Sequence, residues 1–210
     1  MEAGTVPGGL REDPTRPPVG SGWKPADPGP LGLAAFAMTT FVLSMFNSNL
    51  VDARGLPVVL GLALAYGGIV QLLAGMWEFR TGNTFGAVAF CSFGAFWLSF
   101  WALNVFYAKG IGGNAGHAVG VYLWAWAIFT IYMTVAALRV SGAVLLVFVL
   151  LSITFILLAI GTTGPHPSVM HWGGYLGLAT AAAAWYASFA VVTNSTFGRT
   201  VLPIFPLNGR

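Results

Sequence analysis

Residues 27–40 read DPGPLGLAAFAMTT, and they join a proline-broken, charge-bearing segment to the first of six long apolar runs. Pro28 and Pro30 lack backbone N–H groups and restrict the residues before them, which predicts that a helix begins here, at a membrane surface. Gly32 leaves room for a close neighbour. Phe36, Thr40, Leu43 and Asn47 then fall on one helical face. A stripe carrying an aromatic ring, a hydroxyl and an amide on one side of an apolar helix is expected to line something.

Outward from this stretch the class is fixed by composition. The chain has 210 residues, 57% hydrophobic and 7% charged, with a mean hydropathy of +0.78. A soluble domain of that length carries far more charge. Six stretches reach the roughly 20 residues that a helix needs to cross a bilayer. They fall at about Leu31–Val51, Pro57–Trp77, Thr84–Phe106, Val119–Leu138, Ala143–Gly161 and Trp172–Val192. The runs are continuous, without the alternation of a membrane barrel. The expected fold is therefore all-α, a polytopic membrane protein of six transmembrane helices.

Seven of the twelve prolines lie in the first thirty residues, which lack the apolar stretch of a signal peptide. Residues 1–26 are expected to be a disordered tail, 27–196 the membrane domain and 197–210 a second tail. Charge gives the orientation. With the N-terminus inside, Arg11, Arg16, Lys24, Arg80, Arg139, Arg199 and Arg210 are inside and only Arg54 and Lys109 outside, so both termini are expected in the cytoplasm. The cations simply flank the spans, and the pI near 9.3 calls for no nucleic-acid partner. The single cysteine, Cys91, lies within the third run and excludes an internal disulfide.

The residues available for chemistry are few. Of six acidic residues Glu78 is the last, so paired carboxylates are excluded from most of the membrane domain. No metal spacing, nucleophile elbow or phosphate loop is present, and neither an enzyme nor a bound cofactor or metal is expected. What remains is a polar stripe: Gln71, Gly75 and Glu78 share one face of the second span. Glu78 either ends that span by hydrogen bonds to the turn at Gly82–Thr84 or stands at the vestibule of a permeation path. Asn83 is placed to cap the third helix. Phe93, Phe96, Trp97, Phe100 and Trp101 follow helical spacing, which suits packing as well as a pore.

These residues resemble a known family. DPGPLGLAAFAMTT is similar to the N-P-x-P-L-G-L signature of the acetate uptake transporter family, which includes bacterial acetate–succinate permeases and fungal acetate transporters. Residues 71–97, QLLAGMWEFRTGNTFGAVAFCSFGAFW, resemble its second-to-third-span block. Residues 197–203, FGRTVLP, resemble its C-terminal signature. The resemblance implies six helices per protomer in a homo-hexameric ring in the cell membrane. Each protomer would have a path for acetate and other small carboxylates, coupled to protons. It also implies an apolar constriction at Phe36, Phe93 and Ile153, and polar path positions at Thr39, Thr40, Gln71, Glu78, Asn83, Thr84 and Ser92. Asp27 departs from the family's asparagine, Phe93 from a common tyrosine and Ile153 from a common leucine.

Two other functions are compatible with parts of this pattern. A channel for a neutral solute, such as ammonia, urea or undissociated acetic acid, would need the same narrow apolar path. A signalling subunit would need a folded soluble module, and no stretch is long enough to be one.

Overall fold

The computed structural model describes residue 23 and residues 25–164 and 166–207. Most of the expected N-terminal tail, with Arg11, Arg16 and Lys24, lies outside the described residues, as does Arg210. Among the described residues, six helices are long and apolar enough to cross a membrane: α1 (Gly29–Asn47), α2 (Ala53–Thr81), α3 (Thr84–Gly110), α4 (Ala115–Ala137), α5 (Gly142–Thr163) and α6 (Pro167–Phe197). Their number is even, so the two ends of the bundle chain emerge on one side.

The starts and stops follow local chemistry. Asp27 Oδ1 accepts from the Gly29 N–H at 2.8 Å, and Pro28 and Pro30 open α1. Gly82 ends α2 with a left-handed φ of 81°, a conformation open to glycine at little cost. Asn83 then caps α3, accepting from the Gly86 N–H at 3.1 Å, and Ser141 caps α5. Several of the expected span limits shift. The first helix stops at Asn47 rather than Val51, because Asn49 takes a left-handed φ of 61°. The second continues to Thr81, and the sixth runs from Pro167 to Phe197. Polar residues extend these helices, since backbone groups near the bilayer are satisfied most easily within the helix itself.

Two of the helices are interrupted by π turns, at Ala65–Val70 in α2 and at Leu103–Tyr107 in α3. Such turns insert a residue and rotate the face that follows. The first delivers Gln71 and the remainder of α2 to the interior.

α1 packs on α6 and α2, α6 on α5, α5 on α4, and α2 on α3. Small residues allow the closest approaches, as is usual where lipid supplies no hydrophobic drive between helices. Gly174 of α6 is the tightest of these against another backbone: a Cβ there would meet the backbone of Asn47 and Ser48, 2.6 Å from the Asn47 carbonyl carbon. Gly174→Ala is expected to cost about 1–3 kcal/mol by overpacking. A melting curve of the detergent-solubilised protein should fall by several degrees. An unchanged curve would show that the α1–α6 contact yields without cost.

α3 and α4 meet differently, through side chains rather than close backbones. Phe96 stacks on Tyr122 and meets Trp126 edge-on at 5.2 Å, and the Tyr122 hydroxyl lies 2.7 Å from Ser99 Oγ. The outer faces carry Ile69, Leu73, Ile128, Val135 and Phe189, all exposed, as a surface in hydrocarbon requires.

After α6 the chain turns back as a strap. Asn194 Oδ1 accepts from the Val201 and Leu202 N–H groups at 2.7 and 2.9 Å, and Tyr186 donates to the Pro203 carbonyl at 2.7 Å. The Gly142 and Ala143 N–H groups at the start of α5 donate to the carbonyls of Phe205 and Ile204, at 2.7 and 3.2 Å. These are orphan donors of a helix start, satisfied from residues distant in sequence.

Candidate functional site

Two cavities open toward opposite ends of the bundle, separated by a layer of phenylalanine rings. The first, of about 200 Å³, lies at the end bearing the chain termini. It is lined by Asp27, Phe36, Gln71, Glu78, Asn83 and Phe93, with Phe148 and Leu151 of α5 and Ile204 of the strap. The second, of about 220 Å³, is lined by Asn47, Phe96, Asn104, Tyr122, Phe155 and Thr162.

Glu78 and Gln71 sit on the same side of α2. Glu78 is 2% exposed; its Oε2 accepts from Thr81 Oγ1 at 3.0 Å and from Asn83 Nδ2 at 3.1 Å. Oε1 has no partner and packs against Gly86, where an added Cβ would lie 2.7 Å away. Gln71 is 1% exposed, and neither its Nε2 nor its Oε1 has a protein partner. A buried amide left so is costly, which makes it the polar group best placed to meet a solute in this cavity.

The layer between the cavities is built from rings. Phe36 and Phe93 lie 5.6 Å apart, and Phe93 stacks nearly parallel to Phe155 at 6.4 Å. Phe155 in turn meets Phe96 edge-on at 5.3 Å. Phe93 lines the first cavity, and Phe96 and Phe155 the second, so these three mark the division. Leu151 completes it from α5. No hydroxyl, amide or charge belongs to this ring set. A bare carboxylate within it would lose its hydration, at an effective cost of several kcal/mol.

The structure brings together Phe36, Phe93, Gln71, Glu78 and Asn83, and places Asn47 in the second cavity. It does not bring Ile153 to them. Ile153 is 42% exposed on the outer face of α5, where Leu151 and Phe155 occupy the inner one. Two residues along a helix is a turn of about 200°, so the expected constriction position is off by half the helix. Thr39 is buried against Gly67 with its hydroxyl donating to the Ala35 carbonyl at 2.9 Å. Thr40 is buried with an unpartnered hydroxyl, while Thr84 is exposed at the start of α3 and Ser92 half-buried. None of these four lines either cavity.

Sequence reasoning passed over Phe155, Leu151 and Asn104. Phe155 and Leu151 lie in a run that is apolar on every side. Asn104 follows the aromatic stripe, and its position within a π turn has no mark in the sequence.

Comparison with known proteins places this arrangement in context. Residues 15–209 match the model of the GPR1/FUN34/yaaH family. The chain is similar to the succinate-acetate/proton symporter SatP of Escherichia coli, 40% identical over 183 residues that cover 86% of this chain and 96% of that one. It is also similar to ammonia transport outward protein 2 of Saccharomyces cerevisiae, 44% identical over 174 residues, 79% of this chain and 61% of that one. The fungal relatives are longer, and the chain spans between 61% and 66% of their length. A solved structure of the bacterial acetate channel SatP aligns with a TM-score of 0.81 at 40% identity, over 86% of this chain and 99% of that one.

Proposed function

The chain belongs to the GPR1/FUN34/yaaH family, and from that premise we propose that it carries acetate and related short monocarboxylates across a cell membrane. The observation that carries this reading is the pair of cavities aligned through a six-helix bundle and split by one apolar layer. Its likeness to the solved acetate channel supports the same reading. Assembly as a homo-hexamer, cytoplasmic termini and coupling to protons are parts of the proposal. The neutral-solute reading draws support from the ring layer, which lacks polar atoms, and from the relative named for ammonia transport.

Radiolabelled acetate uptake into proteoliposomes, with and without a pH gradient, tests it. Uptake above that of protein-free vesicles, accelerated by an acidic exterior, is expected. A folded protein that gives no acetate uptake overturns the proposal.

Gln71 is assigned as the solute contact of the first cavity, donating from Nε2 to a carboxyl oxygen. Gln71→Leu is expected to lower acetate uptake by about tenfold, the worth of one hydrogen bond to a charged or strongly polar group. The melting temperature should hold or rise, because the substitution removes an unpartnered buried amide. Full uptake by a stable Gln71→Leu protein would make the amide a packing residue.

A further inference from the structure

Resting on the transport reading, the lining of the first cavity divides by chemistry. Its amide and carboxyl side chains, Asp27, Gln71, Glu78 and Asn83, come from the chain up to the start of α3. From α5, α6 and the strap it takes an apolar lining, with Val144, Val147, Leu151, Val191 and Ile204. Ser141 is engaged as the cap of its own helix, its Oγ accepting from the Val144 N–H at 3.3 Å. A short carboxylic acid has the same division, a polar head and an alkyl end.

Among the described residues of the strap, Ile204 alone lines a cavity, and its side chain packs on the buried core. Phe205 beside it is 59% exposed and lines neither cavity. Asn194 holds one end of the strap by three bonds, the two that its Oδ1 accepts and one from Nδ2 to the Leu202 carbonyl at 2.8 Å. At the other end the Leu207 N–H donates to the Val140 carbonyl at 3.1 Å. Between them Phe205 takes a left-handed φ of 55°, uncommon for a residue with a side chain. The carbonyls of Ile204 and Phe205 are both taken by α5 amides. Clamped on both sides, the strap presents Ile204 to the cavity in one place.

We propose that Ile204 is a specificity-determining residue that seats the alkyl end of the acid in the first cavity, and that Asn194 is the positioning residue that holds it there. Each methylene buried against this wall strengthens binding about fourfold. Propionate should therefore occupy the cavity at lower concentration than acetate.

Inhibition of radiolabelled acetate uptake into proteoliposomes by unlabelled acetate and unlabelled propionate tests this. In the unaltered chain, propionate should reach half-inhibition at about a quarter of the acetate concentration. Ile204→Ser and Asn194→Ala should each remove that preference, while Asn194→Asp, which keeps both accepted bonds, should retain it. A role in stability alone would lower the melting temperature of these variants and leave the ratio unchanged. A thiol modified after assembly keeps the test independent of how the serine variant folds. In a Cys91→Ala background, N-ethylmaleimide should abolish acetate uptake by Ile204→Cys and leave that of Phe205→Cys intact. The inference is overturned by an unaltered chain without preference for propionate, by a folded Ile204→Ser protein that keeps the preference, or by an alkylated Ile204→Cys protein that still transports; acetate transport then stands. A preference kept by folded Asn194→Ala overturns the positioning role. Absence of acetate uptake by the folded, unaltered chain overturns the transport reading itself.

Discussion

Replacing Phe93 and Phe155 with alanine together should let benzoate, expected to be excluded by the intact ring layer, cross as readily as acetate. These two rings stack at 6.4 Å, one lining each cavity, so removing both joins the cavities. Each truncation of a packed phenylalanine costs about 3–5 kcal/mol, and Phe93 also touches Phe36, Phe129 and Phe148. Folding must therefore be checked by gel filtration and melting. If the alanine pair is lost, Phe93→Leu with Phe155→Leu keeps most of the volume while removing the flat faces. Ile153→Ala is the control. It faces outward, and its benzoate exclusion should match that of the unaltered chain. A folded alanine pair that still excludes benzoate would show that the division between the cavities lies elsewhere.

The second large effect is expected at Glu78, and it separates structure from proton coupling. Glu78→Leu leaves Thr81 Oγ1 and Asn83 Nδ2 without their acceptor. Each orphaned partner costs about 1–3 kcal/mol where water cannot replace the bond. For a chain of this size a single kcal/mol moves the melting temperature by about 2–4 °C, so a loss of several degrees is expected. Glu78→Gln keeps one oxygen able to accept both bonds and turns its amide nitrogen to the position of the unpartnered Oε1. It should melt near the parent, so that its response to a pH gradient reports on proton coupling apart from folding. A stable Glu78→Gln protein that transports acetate without any response to the gradient would make Glu78 a proton relay, and one that keeps the response would leave Glu78 a structural residue.

Much of this architecture is written plainly in the chain. Six apolar runs separated by short polar turns specify six spans, and Pro28, Pro30 and Asn83 mark helix starts that the structure places within a residue or two. The spacing of Gln71 and Glu78 puts both into one cavity as the helical period requires. The misplaced position is Ile153, and the cause is physical. α5 reads AVLLVFVLLSITFILLAIG through its centre, apolar on every side, so periodicity carries no information about which face turns inward. Facing is set instead by what packs against it: α6 takes Thr154 toward Thr180, with the hydroxyls 3.4 Å apart, and this fixes Leu151 and Phe155 toward the rings. The π turns are equally silent in sequence. Nothing in AYGGIV distinguishes it from ordinary helix, although it sets the rotation of all that follows in α2.

The strap formed by residues 201–207 has a consequence for biosynthesis. The start of α5 leaves the ribosome some sixty residues before the carbonyls of Ile204 and Phe205 that satisfy its Gly142 and Ala143 amides. Throughout that interval the wall of the first cavity lacks Ile204, and α5 has its Ser141 cap but not these two partners. Docking of the strap thus follows synthesis of all six spans. A nascent chain interrupted just beyond Phe197 would hold all six described spans and still leave the vestibule wall without Ile204.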